Sequence, residues 1–380
     1  MISRLRIEHY KSLERVELNL NSLTIFVGPN GSGKSNIIDV FRFVRDAVTL
    51  GLDRSIADRH GIDSIRQWSP RKPYDVTLRV DVKTDYGQGY LSFSLASKSG
   101  SHVVKKEEGC WDFAESISRP MVTYSRSLDG IVEIRSGTED PITAEIDRSD
   151  ELFLSQFEAQ PFRFLAIAIG NMEAYSIYPN VLRTPQNPSS EPRLYANGGN
   201  LTSVYKQLAS SKKQTHIRAR SEILSSMRLV MPSLDSIRIQ SLGGLMVPVF
   251  RVRESSGDSH DFNVSQVSDG TLRMLGLLTA LYQPAVPYTL AMEEPEQTIN
   301  PGVLSMLSES IADVSTKTQM LVTTHSPDFL DKFSAPSIVY SVSMVDGITR
   351  VGAISEIQLQ AVRDHLFSLG ELMSIEGLHS

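Results

Sequence analysis

Leu23-Thr24-Ile25-Phe26-Val27-Gly28-Pro29-Asn30-Gly31-Ser32-Gly33-Lys34-Ser35-Asn36 is the stretch that decides the fold. Its first five residues form a short apolar, β-rich run and read as a strand. Gly28 to Ser35 complete the pattern G-x-x-x-x-G-K-[ST]. Residues 35–48 then place Ile37, Ile38, Phe41 and Val44 on one face and read as a helix. Phosphate binding needs this order of strand, glycine loop and helix. Glycines let backbone N–H groups curl around an anion, and the helix points the positive end of its dipole at the same place. Lys34 can reach the β- and γ-phosphates of ATP, and the Ser35 hydroxyl can ligate Mg²⁺. The candidate nucleotide-binding residues are therefore Gly28, Pro29, Asn30, Gly31, Ser32, Gly33, Lys34, Ser35 and Asn36.

Outward from this loop, residues 1–27 read as strands and 49–72 as loop-rich and charged. Residues 74–146 read as antiparallel strands, because Val76, Leu78, Val80 and Val82 alternate with polar residues. From about residue 150 the spacing turns helical, interrupted by the Pro/Asn/Ser-rich stretch 184–192. Residues 236–253 return to strands around a Gly243-Gly244 turn. A helix at 270–283, a strand at 288–292, a helix at 301–314 and a strand at 319–323 predict parallel pairing.

Leu290-Ala291-Met292-Glu293-Glu294-Pro295-Glu296 is an apolar strand that ends in consecutive carboxylates. Behind a phosphate loop it reads as a Walker B segment. Glu293 is the candidate on the Mg²⁺ side, directly or through water, and Glu294 the candidate general base for the attacking water. Asp is the commoner residue at the first of these places, and Glu293 is a longer variant.

Between and after these motifs stand Val267-Ser268-Asp269-Gly270-Thr271 and Thr323-Thr324-His325-Ser326-Pro327. The whole order resembles an ABC-class ATPase, and more narrowly the RecF/SMC/OLD-like group. The resemblance covers roughly 1–95 and 245–335. It implies an α/β fold: an ABC-type ATPase head with an antiparallel β subdomain and a helical insertion. The expected divisions are 1–148, 149–245 and 246–380. It implies that Ser268, Asp269 and Gly270 act as a signature motif on ATP held by another subunit, with Asp269 in place of a usual glycine. Ser268 and the N–H groups of Gly270 and Thr271 suit an anion. His325 matches the switch histidine near the γ-phosphate. Glu296 to Pro301 occupy the place of the interface-crossing D-loop, with Asn300 in a departure from the group's pattern. Gln156, with Gln67 as runner-up, is the candidate Q-loop glutamine at the metal. Lys11, in Ile7-Glu8-His9-Tyr10-Lys11-Ser12-Leu13, matches a basic residue beside the nucleotide.

The chain has 380 residues, of which 41% are hydrophobic and 22% charged, enough for a buried core. A net charge of −6 and a pI near 5.8 argue against a strong, general nucleic-acid binder. Cys110 is the single cysteine, so no internal disulfide can form and a reducing cytoplasm fits. The N-terminus lacks the apolar core of a signal peptide, and no apolar run reaches the length of a membrane span. With the resemblance, the expected function is an ATP-hydrolysing switch that forms a homodimer or higher even oligomer. Its expected partner is a separate nuclease or other nucleic-acid effector, in bacterial anti-phage defence. The roughly 45 residues beyond the switch region leave no room for a further acidic metal cluster, which is why the effector is expected on another chain. Two alternatives stand beside this. One is the nucleotide-binding subunit of a transporter. The other is direct DNA binding through Arg54, Arg59, Arg66, Arg71 and Lys72, or through Lys212, Lys213, His216, Arg218 and Arg220.

Overall fold

The computed structural model describes residues 1–70, 73–98, 101–146, 149–333, 338–364, 366–375 and 378. Arg71 and Lys72 of the first basic cluster lie outside them.

In chain order the elements begin with β1 (Ile2–Tyr10), β2 (Leu13–Asn19), β3 (Leu23–Val27), α1 (Lys34–Thr49), α2 (Leu52–Ala57) and α3 (Ile62–Ile65). Then come β4 (Val76–Thr84), β5 (Gly87–Lys98), β6 (Ser101–Phe113), β7 (Val122–Arg126), β8 (Ile131–Ser136), β9 (Ile142–Glu145) and α4 (Arg163–Gly170). The middle of the chain forms β10 (Met172–Tyr175), α5 (Pro179–Arg183), α6 (Leu201–Ser210), α7 (Gln214–Val230), β11 (Leu234–Leu242), β12 (Leu245–Arg253) and β13 (Ser259–Asn263). The last part holds α8 (Asp269–Tyr282), β14 (Thr289–Glu293), α9 (Leu304–Ser315), β15 (Gln319–Thr324), α10 (Pro327–Leu330), β16 (Ile338–Val345), β17 (Ile348–Ala353), α11 (Glu356–Arg363) and α12 (Leu369–Ile375).

The chain divides into two compact units. One comprises Met1–Met172, Ser337–Glu356 and Leu378–Ser380, and the other Glu173–Pro336 and Ile357–Gly377. The stretch 149–245 carries β10 and all of β11 as well as helices, and the division at 172/173 runs through it.

The first unit holds an eight-stranded sheet in the order β2-β1-β4-β5-β6-β7-β8-β9, antiparallel throughout the recorded pairs. Val76, Leu78, Val80 and Val82 of β4 are buried while Thr77, Arg79 and Asp81 are half-exposed, the alternation of a sheet with one covered face. β3 is different: all five residues are buried, and it pairs in parallel with β16 from Thr24–Ile338 to Val27–Ser341. A strand covered on both faces reads as a continuous apolar run.

Residues 49–72 are less irregular than the sequence suggests, because α2 and α3 form there. Each follows a glycine of positive φ, Gly51 at 95° and Gly61 at 97°. Glu151, 99 residues from Leu52, caps α2 by accepting from Leu52 N at 2.7 Å. Such a long-range cap supplies the acceptor that the exposed N–H groups of a short helix need, and local sequence cannot show it.

Glu107 of β6 is fully buried. It accepts from the Tyr124 hydroxyl at 2.7 Å, Phe153 N at 2.7 Å and Leu154 N at 3.1 Å, with the buried Arg126 guanidinium 3.7 Å away. Burial pushes its carboxyl above the ordinary value near 4.5, against the pull of these donors. A raised folded value means that the group's contribution to stability is complete below about 4.5 and is lost as pH rises through that folded value. Glu107→Ala removes the charge partner of buried Arg126 and the acceptor for three donors. It is expected to cost about 3–5 kcal/mol of unfolding free energy, read as a lower urea midpoint. A loss below about 1 kcal/mol would show that the cluster is not a stability element.

The second unit holds the β11–β12 hairpin, with β13 beside β12. The turn is Gly243 (φ 57°) and Gly244 (φ 88°), the two positive φ values that a tight two-residue hairpin loop demands. It also holds β14 and β15 in parallel, registered from Thr289–Gln319 to Glu293–Thr323, as the strand–helix–strand spacing predicts. α9 makes the crossover between them.

Candidate functional site

The glycine loop lies in the first unit, between β3 and α1. A Cβ on Gly28 would stand 2.0 Å from the Val342 carbonyl oxygen on β16, so no side chain fits there. Gly33 has φ 101° and would place a Cβ 2.0 Å from Thr349 Oγ1. That hydroxyl donates to the Ser32 carbonyl at 3.1 Å and lies 2.6 Å from Ser12 Oγ. Ser12 in turn accepts from the Asn36 amide at 2.7 Å. Ser12 and Thr349 thus stitch the loop to its two neighbours. Lys34 is 4% exposed, and its ammonium donates to the carbonyls of Gly28 at 2.7 Å and Pro29 at 2.9 Å. Ser32 Oγ is buried with no hydrogen-bond partner. Ser35 is exposed on the first turn of α1. A curled lysine, an orphaned hydroxyl and a helix N-terminus suit phosphate oxygens, and an exposed Ser35 hydroxyl suits Mg²⁺.

Lys11 has φ 49° at the turn after β1, and its ammonium is 2.6 Å from Asp39 Oδ2, one helical turn past Ser35. Tyr10 OH at 2.7 Å and Arg59 Nε at 3.1 Å bind the same carboxylate. Burial alone would raise the Asp39 carboxyl, but Arg59 and Lys11 outweigh it and hold it below the ordinary range. Gln67 rides on the end of β1, with its Oε1 2.8 Å from His9 Nδ1. Gln156 sits between two 3₁₀ turns, and its amide donates to the Leu152 carbonyl and Ser155 Oγ, both at 3.4 Å. The runner-up glutamine is therefore the one placed beside the Lys11 turn, while the contacts of Gln156 are local.

The carboxylates lie in the second unit. Glu293 ends β14, and its Oε1 accepts from Ser176 Oγ at 3.0 Å. Glu294 has φ 43°, the left-handed region that costs a non-glycine residue about 1–3 kcal/mol. Its N–H donates to the Thr323 carbonyl at 3.0 Å and its own carbonyl accepts from Arg273 Nη2 at 3.0 Å. These bonds aim the side chain past the strand end. There Glu294 Oε2 accepts from the Gln297 amide and lies 3.3 Å from His325 Nδ1. His325 follows β15, and β15 pairs with β14 in register, so the parallel pair brings Glu294 and His325 together. Glu296 is 8% exposed and accepts from the Thr324 hydroxyl. Burial pushes its carboxyl above the ordinary value. Burial pulls the Arg273 guanidinium below its own, against the attraction of Glu296 and Glu294.

Ser268 is the N-cap of α8. Its hydroxyl accepts from Thr271 N at 3.1 Å, and helical bonding starts at Leu272 N. Gly270 packs on the segment after Glu296: a Cβ there would stand 2.5 Å from the Thr298 carbonyl. Arg183 ties down the segment around Ser268, donating to the carbonyls of Val264 and Val267 and pairing with Asp269 at 2.5 Å. Asn300 caps the 3₁₀ turn before α9, accepting from Gly302 N at 2.8 Å.

Sequence reading did not find Arg183, Ser176, Thr349, Asp39 or Arg273. Arg273 alone left a signal, a single cation in the apolar run Leu272-Arg273-Met274-Leu275 of a buried helix. Among the described residues no group of three or more His, Cys, Asp or Glu forms a metal site. Much of the basic clusters is engaged within the chain. Arg54 pairs with Asp58, Arg59 with Asp39 and Asp46, Arg66 with Asp63 and Arg218 with Glu222, and Arg220 donates to the Ala209 carbonyl.

The family model described as "AAA domain, putative AbiEii toxin, Type IV TA system" matches residues 137–331, more than half of the chain. The chain belongs to this AAA-domain family. A second model, an AAA ATPase domain, matches residues 1–67 of this AAA-domain protein, which include the glycine loop. Endonuclease GajA of Bacillus cereus (strain VD045) is 22% identical over 401 residues, covering 99% of this chain and 65% of GajA. The chain thus spans just under two thirds of that relative's length. An SMC head bound to the C-terminal winged-helix domain of ScpA superposes with a TM-score of 0.55 at 15% identity, covering 94% of this chain and 99% of that one. An Smc head with an extended coiled coil, bound to the C-terminal domain of ScpA derived from Pyrococcus furiosus, gives 0.52 at 12% identity, covering 96% and 99%. At such identities the likeness shows the fold. Both structures give the AAA-domain chain the fold of an SMC-type ATPase head. No helix among the described residues is long and apolar enough to cross a membrane.

Proposed function

We propose that this chain is an ATP-hydrolysing switch that dimerises around nucleotide and so controls a separate nuclease or other nucleic-acid effector in anti-phage defence. The observation that carries the nucleotide reading is the glycine loop itself, with Lys34 folded onto the Gly28 and Pro29 carbonyls and Ser32 Oγ buried without a partner. Incoming phosphate oxygens replace those carbonyls as acceptors for Lys34 and give Ser32 an acceptor. Mg²⁺, held by Ser35 and on the Glu293 side, would neutralise charge on the β- and γ-phosphates. Glu294 takes the proton of the attacking water, and His325 meets the γ-phosphate region.

By the family resemblance, Ser268 and Gly270 serve ATP bound to Lys34 and Ser35 of a second copy. Such an interface is two-fold and self-complementary, with two nucleotides in it. ATP that binds the dimer preferentially shifts monomer to dimer by mass action. Ser268→Arg places a bulky side chain at the cap of α8. It is expected to leave ATP affinity within about twofold and to abolish ATP-dependent dimerisation in light scattering. Full steady-state hydrolysis by Ser268→Arg, at concentrations where only monomer scatters, would sink the composite site.

The effector half rests on the likeness to endonuclease GajA. Purifying the tagged chain from its native host with ATP and Mg²⁺, then identifying what accompanies it, tests this half. A chain that recovers only itself under conditions that trap its dimer overturns the separate-effector reading.

A further inference from the structure

Glu296 stands two residues beyond Glu294, and the chemistry assigned above does not use it. A carboxylate past a strand end belongs in water, yet this one is 8% exposed. Its Oε1 accepts from the Thr324 hydroxyl and lies 3.9 Å from His325 Nδ1. Its Oε2 is buried with no hydrogen-bond partner. A buried acceptor left unbonded costs about 1–3 kcal/mol, so such a group calls for a role. The groups facing it are Glu294 on its own loop, Thr324 at the end of β15, His325 just after it, and Arg273 on α8. Arg273 Nε is also buried without a partner, so the cluster is tight but incompletely bonded.

His325 Nδ1 is buried without a hydrogen-bond partner, 3.3 Å from Glu294 Oε2 and 3.9 Å from Glu296 Oε1, while 36% of the side chain is exposed. The exposed edge of the ring is therefore the opposite one. Rotation about the bond from Cβ to the ring is soft, and a half-turn would exchange the edges. An ionised carboxylate only accepts, so a ring nitrogen turned toward two of them carries its hydrogen on that side. Glu294 must be free to take a proton from water and cannot also serve as a fixed clamp. Glu296, anchored by Thr324, can.

We propose that Glu296 is a positioning residue for hydrolysis, whose charge 3.9 Å from Nδ1 draws the Nδ1–H edge of His325 inward and leaves its Nε2 edge exposed. This rests on the ATPase reading for its consequence but not for its geometry. Loss of the clamp leaves the P-loop intact and lets the ring turn, so the effect falls on kcat rather than on binding.

The test is a double-mutant cycle on the full chain. Glu296→Ala is expected to lower kcat about 10–100-fold with ATP affinity within about twofold. In a His325→Gln background the same substitution is expected to cost nothing further, because Glu296 acts through the ring. Equal, additive losses in both backgrounds would overturn the proposal, and a merely structural role predicts them. If Glu296→Ala does not fold cooperatively, Glu296→Gln runs the same cycle, since it removes the charge that faces His325 but keeps the volume and the acceptor for Thr324. A second readout needs no ATP. The ring ¹⁵N shifts of His325 are expected to show one Nδ1–H tautomer in the unaltered chain and a mixture in Glu296→Ala. An unchanged ring in the variant overturns the proposal. A wild-type chain that hydrolyses no ATP overturns the ATPase reading and leaves the ring spectrum to decide this one.

Discussion

Glu294→Gln is expected to bind ATP as tightly as the unaltered chain and to hydrolyse it about 10²–10⁴-fold more slowly. The amide keeps the shape of the side chain, so the backbone bonds to Thr323 and Arg273 that hold residue 294 at φ 43° have no reason to change. What goes is the one property the reaction needs, a carboxylate able to accept a proton from water. Unhydrolysed ATP then keeps its dimer, and the variant should elute as a stable dimer with ATP and Mg²⁺ where the unaltered chain returns to monomer. Single-turnover hydrolysis and light scattering measure the two halves separately. The neighbouring carboxylate is the control. Glu293 lies against Ser176 on the strand itself, and Glu293→Gln is expected to weaken Mg²⁺-dependent binding. If Glu293→Gln traps the dimer and Glu294→Gln does not, the two roles are exchanged.

Lys34→Ala is expected to abolish measurable ATP binding. Lys34 is a buried cation whose ammonium donates to the Gly28 and Pro29 carbonyls. Carbonyl dipoles compensate a charge less well than phosphate oxygens do, so ATP meets a cation already desolvated and placed. Truncation leaves the loop glycines and α1 in place but removes the positive charge opposite the β- and γ-phosphates. Fluorescent-nucleotide titration should show affinity lowered by at least about 100-fold. Affinity near that of the unaltered chain would count decisively against this loop as the nucleotide site. In mixtures, Lys34→Ala with Ser268→Arg is expected to restore one working site per heterodimer at most. The intact P-loop of one chain then faces the intact signature of the other.

The loop from Gly28 to Ser35 was legible in the sequence because its constraints are local. Gly33 needs a positive φ and α1 needs a start, both within a few residues. The same holds for the Gly243-Gly244 turn and for the β14–α9–β15 crossover, where periodicity and length decide. Glu293, Glu294 and His325 were legible because apolar strands announce their own ends. The tertiary structure decided what the neighbours of those residues are. Sequence could not show that Gly28 is a glycine because β16, more than 300 residues later, brings the Val342 carbonyl against it. It could not show that Thr349 ties Ser32 to Ser12, that Glu151 caps α2, or that Arg183 holds the segment before α8. It read the last carboxylate of Glu293-Glu294-Pro295-Glu296 as one more acidic residue at a strand end, whereas the fold turns Glu296 inward onto Thr324. Hydrogen-bonding groups tens or hundreds of residues apart meet only when strands pair. The burial that moves the carboxyls of Glu107 and Glu296 is a property of the packed chain, and no window of sequence contains it.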